Sequence, residues 1–179
     1  MITLPGRTEL RDRCVARSGA SGMIEVKEQL AVAAEPAIVW RLLTDPYTVI
    51  GCVPGAGLAG QDPSGAREVL LTARFGALGM TFQTFVNVDL DAAAMRGRLR
   101  ARGKDQENEQ FQANGSFSVT PSGSGGGSLV SVGVTLEVWG HLAATIEETA
   151  GAVIHNLATE FATCLSAQAT PARQRPEAQ

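Results

Sequence analysis

The sequence predicts an α+β protein in which an antiparallel sheet packs against one long C-terminal helix. Three observations indicate this class. Apolar and polar residues alternate from Arg67 to Val138, which is typical of half-buried strands. Apolar residues recur every three or four positions after Gly140, which indicates an amphipathic helix. Pro36 and Pro46 mark the first turns of short helices that interrupt the early part of the sheet. Helices on one face of a sheet follow from this order.

The first strand alternates from Ile24 to Val32, with Glu28 as the one carboxylate in its apolar phase. Pro36 suits the start of a helix that Asp45 and Pro46 bring to an end, and residues 47–50 allow another short turn. A strand followed by two short helices is therefore expected.

The long alternating region predicts successive antiparallel strands that place their apolar residues on one face. These inward positions run from Val69 to Phe75, Met80 to Leu90, Met95 to Ala101, Phe111 to Val119 and Val130 to Val138. The sheet is expected to contain about seven strands. The helix stripe consists of Leu142, Ile146, Thr149, Ala150, Val153, Leu157, Phe161 and Cys164.

A GxGxxG spacing in Gly55, Gly57 and Gly60 raises the question of dinucleotide binding. That motif works only between a strand and the N-terminus of a helix. Here Pro54 precedes it and a turn-forming stretch, residues 61–65, follows it. The segment is interpreted as a flexible connection.

Composition limits the class of protein. A chain of 179 residues is expected to form one domain, and its net charge of -3 gives no general attraction to nucleic acid. No apolar run suits a membrane span or a signal peptide, which favours a soluble protein. Residues 1–22 are expected to be a disordered leader or an expression remnant, residues 23–168 the domain, and residues 169–179 a disordered tail. Cys14, Cys52 and Cys164 lack any paired spacing, so free thiols in the cytoplasm are expected.

Many inward residues near the strand centres are small, namely Ala73, Gly97, Ala101, Ala113 and Gly115. Larger side chains are then expected to ring an apolar cavity, unless the helix packs tightly onto the small ones. The predicted cavity residues are Leu43, Val53, Ala73, Phe75, Met80, Phe82, Phe111, Ala113, Phe117, Ile146, Ala150, Val153 and Leu157.

Groups suited to catalysis or metal binding are sparse. His141 and His155 lack the spacing of a metal site, and no nucleophile has a readable catalytic partner. His155 is expected to face solvent. Glu28 and His141 are the candidate polar contacts of a ligand, although a β-bulge that turns Glu28 outward is an equal alternative.

Basic residues follow one another on the predicted outer face of a strand: Arg96, Arg98, Arg100, Arg102 and Lys104. We call this set the arginine ladder. It is typical of a solvated strand face, and the alternative is a docking face for an acidic partner or anionic headgroups. The ladder lacks the interleaved aromatic residues that RNA binding needs.

One segment carries a family resemblance. Pro36, Trp40, the Leu-Leu-x-Asp-Pro segment at residues 42–46 and the Cys-Val-Pro-Gly segment at residues 52–55 resemble the START-like helix-grip (SRPBCC) superfamily. Within it, the chain is most similar to the CoxG family of carbon monoxide dehydrogenase subunits. Glu35 replaces a small hydroxyl residue that is usual before the proline, and the hydrophobic C-terminal anchor of some members is missing from this sequence.

The resemblance implies a helix-grip fold and an accessory role beside a molybdenum-containing hydroxylase, in its maturation, membrane recruitment or supply of electron acceptor. A non-catalytic carrier of an apolar small molecule, with a quinone as one candidate and no covalently bound cofactor, is the favoured function. It implies location in the cytoplasm, with peripheral contact at the inner membrane face as an option. The alternatives are a cyclase-like or dehydratase-like enzyme that uses Glu28 and His141, and a ligand-free assembly module.

Overall fold

A computed structural model describes residues 21–123 and 125–169 and shows one curved antiparallel sheet with a long helix on its inner face. The elements are β1 (Ser21–Val32), α1 (Pro36–Thr44), α2 (Pro46–Cys52), β2 (Ala56–Gln61), β3 (Arg67–Phe75), β4 (Leu78–Asp91), β5 (Arg96–Lys104), β6 (Gln110–Pro121), β7 (Ser128–Trp139) and α3 (Ala143–Ala169). The predicted fold class, with about seven strands and two short helices after the first, is confirmed.

The sheet has the strand order β1-β7-β6-β5-β4-β3-β2, so consecutive strands from β2 to β7 are neighbours and β1 closes beside the last strand. β1 pairs with β7 without interruption from Ser21 opposite Trp139 to Val32 opposite Ser128. This unbroken register leaves no bulge at Glu28, so its side chain keeps the inward phase of the strand.

Helix α3 lies mainly against β1 and makes fewer contacts with β3 and β7. Two separate apolar cores result. One joins α1 and the C-terminal half of α3 to the ends of β1, β6 and β7, around Val39, Val130 and Leu165. The other joins the N-terminal half of α3 to β4 and β7, around Phe82, Val138 and Ile146. The middle of α3 therefore spans the gap between two packed ends.

The two short helices are fixed by their first residues. Glu35 makes no side-chain cap to α1, as its replacement of a hydroxyl residue predicts, and Pro36 begins the helix. Asp45 caps α2 by accepting hydrogen bonds from the Tyr47 N–H at 3.2 Å and the Thr48 hydroxyl at 2.6 Å. The bond from Thr48, with the backbone bonds and the charge of Arg67, lowers the pKa of Asp45 below its ordinary value against a small opposing desolvation.

The glycine-rich segment forms edge strand β2, so its interpretation as a flexible connection is wrong. Gly55 has φ +77°, and a Cβ there would collide with the Thr72 carbonyl oxygen. This close approach allows the Thr72 N–H to donate to the Gly55 carbonyl at 2.8 Å. A turn stabilised by the Asp62 carboxylate follows the strand, where a phosphate-binding helix would have to begin.

The start of α3 is held by a carboxylate that the sequence pattern did not reveal. Glu109, only 1% exposed, accepts hydrogen bonds from the backbone N–H groups of His141 at 2.7 Å and Leu142 at 3.1 Å. Gly140 lies directly beneath this carboxylate at φ +140°, and any Cβ at that position would overlap it. The β5–β6 loop therefore caps the long helix from across the sheet.

A disulfide joins Cys52, at the end of α2, to Cys164 in α3, with 5.4 Å between their Cα atoms. The expectation of free thiols is wrong for these two residues. The sequence concealed the pair because 112 positions separate the cysteines, and only packing of α2 on α3 brings them together. The inference of a reducing compartment loses the observation on which it rested. Cys14 lies outside the described residues.

The ends of the predicted domain are close to the ends of the elements. β1 begins at Ser21 and α3 ends at Ala169, so regular structure extends slightly past the predicted limits 23–168. The remainder of the predicted leader and tail lies outside the described residues. Within residues 21–123 and 125–169, no helix is long and apolar enough to cross a membrane.

Candidate functional site

An apolar cavity of about 600 Å³ occupies the space between the inner face of the sheet and the middle of α3. Its walls come from β3 to β7, from α3, and from the segment that includes the end of α1 and all of α2. Val88 and Leu90 line it near the end of β4 while remaining 48% and 47% exposed, so the cavity opens to solvent beside them. The volume is typical of a small-molecule site.

The structure brings most of the predicted cavity residues to this space. Those in the lining are Leu43, Val53, Ala73, Phe75, Phe82, Phe111, Ala113, Ile146, Ala150, Val153 and Leu157. Met80 and Phe117 lie outside the lining. Met80 belongs to the core beneath the first turns of α3, and Phe117 packs against Trp40 of α1 with 6.0 Å between ring centres. The role of the lining residues in binding stays a prediction.

The small inward residues divide into two groups. Ala73, Ala101 and Ala113 face the cavity and leave it open. Gly97 and Gly115 do not line it: the Phe117 ring occupies the place of a Cβ on Gly97, and Leu99 lies against Gly115. Tight packing therefore fills one end of the inner face, while the centre remains hollow.

Sequence reasoning missed two contributions to the lining. The first is α2, whose Pro46, Val49 and Ile50 cover one side of the cavity. The second is Arg67, at the start of β3, which lines the cavity and is partly buried. Its alternation with Val69 was the available signal, because both residues share the inward phase of the strand.

Neither candidate polar contact faces the cavity. The Glu28 carboxylate lies 3.0 Å from Nδ1 of His155 on α3, and neither residue is in the lining. His155 is exposed, as expected, but pairs with Glu28 across the helix–sheet contact. His141 is exposed and contributes its backbone N–H to Glu109, so its imidazole does not reach the cavity wall.

The described part of the chain contains no group of three or more metal-ligating side chains placed to hold a metal ion. The polar side chains along the cavity are few. Thr44 donates its hydroxyl to the Arg41 carbonyl at 3.0 Å, and the buried Thr84 hydroxyl lies 3.4 Å from the Phe82 carbonyl. The cavity is therefore suited to hold an apolar molecule, and these threonines have no general base beside them.

The arginine ladder lies on the outer, convex face of the sheet, and all four arginines are exposed. The neighbouring strand β4 sets Asp91 opposite Arg96 and Asp89 opposite Arg98. Asp89 forms an exposed ion pair of 3.6 Å with Arg100. On the other side, β6 presents only neutral polar residues to the ladder, so positive charge remains in excess on this face.

A curved antiparallel sheet that wraps a C-terminal helix around an apolar cavity defines a START-like helix-grip protein. Over residues 29–170 the chain matches the CoxG family of carbon monoxide dehydrogenase subunits. This chain belongs to that family. No curated protein matches the sequence significantly.

Solved structures of the same fold are distant in sequence. A conserved protein from Geobacillus kaustophilus is 17% identical with a TM-score of 0.73, and the match covers 83% of this chain and 97% of that one. An aromatase/cyclase from Streptomyces is 16% identical with a TM-score of 0.59, covering 86% and 97%. A START superfamily protein from Mycobacterium smegmatis is 16% identical with a TM-score of 0.52, covering 84% and 99%. These similarities establish the fold.

Proposed function

We propose that this protein is a non-catalytic carrier that holds an apolar small molecule in its central cavity. The observation that supports this most strongly is the cavity itself, a space of about 600 Å³ whose lining is almost entirely aliphatic and aromatic. Apolar surface that is kept open costs packing energy, so an occupant of matching chemistry would stabilise the fold.

A lipid quinone is the candidate ligand that we favour. Its ring fits the chemistry of the aromatic wall, where Phe82 and Phe111 meet edge to face with 5.1 Å between ring centres. Its isoprenoid chain would lie along the aliphatic residues of α2 and α3. Membership of the CoxG family supports this choice, because a carbon monoxide dehydrogenase must pass electrons to an acceptor.

The proposed partner is a molybdenum-containing hydroxylase of the carbon monoxide dehydrogenase type. The family description supports this pairing. The arginine ladder offers a local positive face on a chain of net charge -3, which would direct an acidic surface of the enzyme to the convex side of the sheet. In this arrangement the cavity delivers or withdraws electron acceptor while the opposite face docks, at the enzyme or transiently at the inner membrane face.

The cyclase-like or dehydratase-like alternative has little support from the side chains. Its two candidate residues, Glu28 and His141, both lie outside the cavity lining. The likeness to the Streptomyces aromatase/cyclase is one of fold, at 16% identity. A carrier is therefore the function that this arrangement favours.

Native mass spectrometry of the purified protein, followed by organic extraction, tests the proposal. We expect a bound apolar molecule, or stoichiometric uptake of an alkyl naphthoquinone from phosphatidylcholine vesicles. Protein that remains ligand-free after both treatments would contradict the carrier role and favour a pure assembly module.

A further inference from the structure

Among the described residues, Arg67 is the one cationic side chain in the lining of the cavity. It lies at the start of β3, opposite Val86 of β4, and alternates with the buried Val69, so its side chain shares the inward face of the sheet. Within residues 21–123 and 125–169 its guanidinium forms no ion pair within 4.0 Å and no hydrogen bond. A partly buried guanidinium with unfilled donors is poorly solvated and favours an oxygen acceptor.

The surroundings of Arg67 supply charge but no direct partner. Asp45 is close enough for Arg67 to help lower its pKa, yet the Asp45 carboxylate is already engaged by Tyr47 and Thr48. Gly65, Pro46 and Thr44 line the same cavity. These residues belong to the short connections at the open side, whereas the interior is bounded by the aromatic and aliphatic side chains of β4, β6 and α3.

We infer that Arg67 is the polar anchor of the cavity and that its ligand is an amphiphile with an oxygen acceptor at one end. The guanidinium would hold that acceptor, either a carboxylate or a quinone carbonyl, near the opening. The apolar remainder would extend inward toward Phe82, Phe111 and α3. The inference rests on the proposed carrier function and adds to it the orientation of the ligand and the chemistry of its head.

Two matched pairs of probes test the anchor, each by displacement of the neutral dye N-phenylnaphthylamine from the full-length protein. Dodecanoate and dodecylamine share a chain and differ in the charge of the head. An alkyl naphthoquinone and the corresponding alkyl naphthalene differ only in the carbonyl oxygens. We expect the oxygen-bearing member of at least one pair to bind about tenfold more tightly or better, the range for a charge-assisted hydrogen bond.

Arg67→Met should abolish this preference while dye binding persists. Arg74→Met is the matched control, since Arg74 is on the same strand but exposed on the outer face, and it should keep the preference. Arg67→Gln, checked by circular dichroism, replaces Arg67→Met if that variant does not fold. Loss in the carboxylate pair identifies an acid head, and loss in the quinone pair identifies a carbonyl.

Two results would overturn the inference and can be told apart. If the wild-type protein binds dye but shows no preference in either pair, or if Arg67→Met keeps the preference, the anchor is wrong and the carrier function stands. If the wild-type protein binds neither the dye nor any probe, the carrier function fails and the anchor fails with it.

Discussion

Individual residues hold the long helix in place, and Glu109 shows this most clearly. Its carboxylate satisfies two N–H groups at the start of α3 from a loop on another part of the sheet. No local pattern around His141 predicts such a cap, because the usual capping residue lies within the same segment as the helix. The sequence could place the helix but not the group that secures its first turn.

Glu109→Ala should lower the free energy of unfolding by about 2 kcal/mol, because it leaves two buried donors without an acceptor. Urea unfolding followed by circular dichroism measures this loss. Glu107→Ala is the control, since Glu107 is exposed in the same loop. Equal stability of the two variants would show that Glu109 does not cap the helix.

Thr48→Val should raise the pKa of Asp45 toward its ordinary value, because the Thr48 hydroxyl is the main cause of its lowering. Since the folded-state pKa is the lower one, the carboxylate stabilises the fold above its unfolded-state pKa, and this contribution is lost as the pH falls through the folded-state value. NMR titration of the carboxyl groups measures the shift. Asp62, whose pKa is lowered by Ser64, is the internal control and should not move.

At the scale of elements, alternation predicted which face of each strand points inward, but not how deep each residue lies. A period of two fixes the face alone. Met80 and Phe82 share a face of β4, yet only Phe82 reaches the cavity, because the first turns of α3 cover Met80. The position of α3 along the sheet, closest to β1, decides this outcome.

The disulfide between α2 and α3 should contribute stability by restricting the unfolded chain. For a loop of roughly a hundred residues the expected contribution is about 4 kcal/mol. Urea unfolding with and without a phosphine reductant measures it, and the Cys52→Ser/Cys164→Ser variant should show no effect of reductant. Identical unfolding curves for the oxidised and reduced wild-type protein would contradict this prediction.

The arginine ladder is expected to act as a docking face without affecting the fold. Replacing Arg98 and Arg102 by Glu should weaken binding to the partner hydroxylase or to anionic vesicles, and wild-type binding should fade as salt screens exposed charges. The free energy of unfolding should change by only about 0.5 kcal/mol. Arg74→Glu, on another strand of the same face, is the control for added negative charge, and salt-insensitive binding by the double variant would leave the ladder as a solvated surface.

At the scale of the whole molecule, the order of elements and the family motifs were sufficient to predict the helix-grip fold. The hollow centre could be anticipated from small inward residues, but its exact walls could not. Gly97 is filled by Phe117, whereas Ala73 faces open space, and this difference depends on which neighbouring strand supplies a ring. Arg67 and the cover formed by α2 likewise depend on tertiary contacts that no single segment encodes.

The central claim is that the cavity binds a small apolar molecule, and fluorescence titration with N-phenylnaphthylamine of a plugged variant tests it most directly. Ala73→Phe places a ring inside the cavity, and Thr72→Phe adds the same ring on the exposed face of the same strand. We expect the wild-type protein and Thr72→Phe to bind dye with equal affinity and Ala73→Phe to bind it about tenfold or more weakly, since the ring removes buried apolar volume. Equal dye binding by Ala73→Phe and the wild-type protein, with both folded, would contradict the claim.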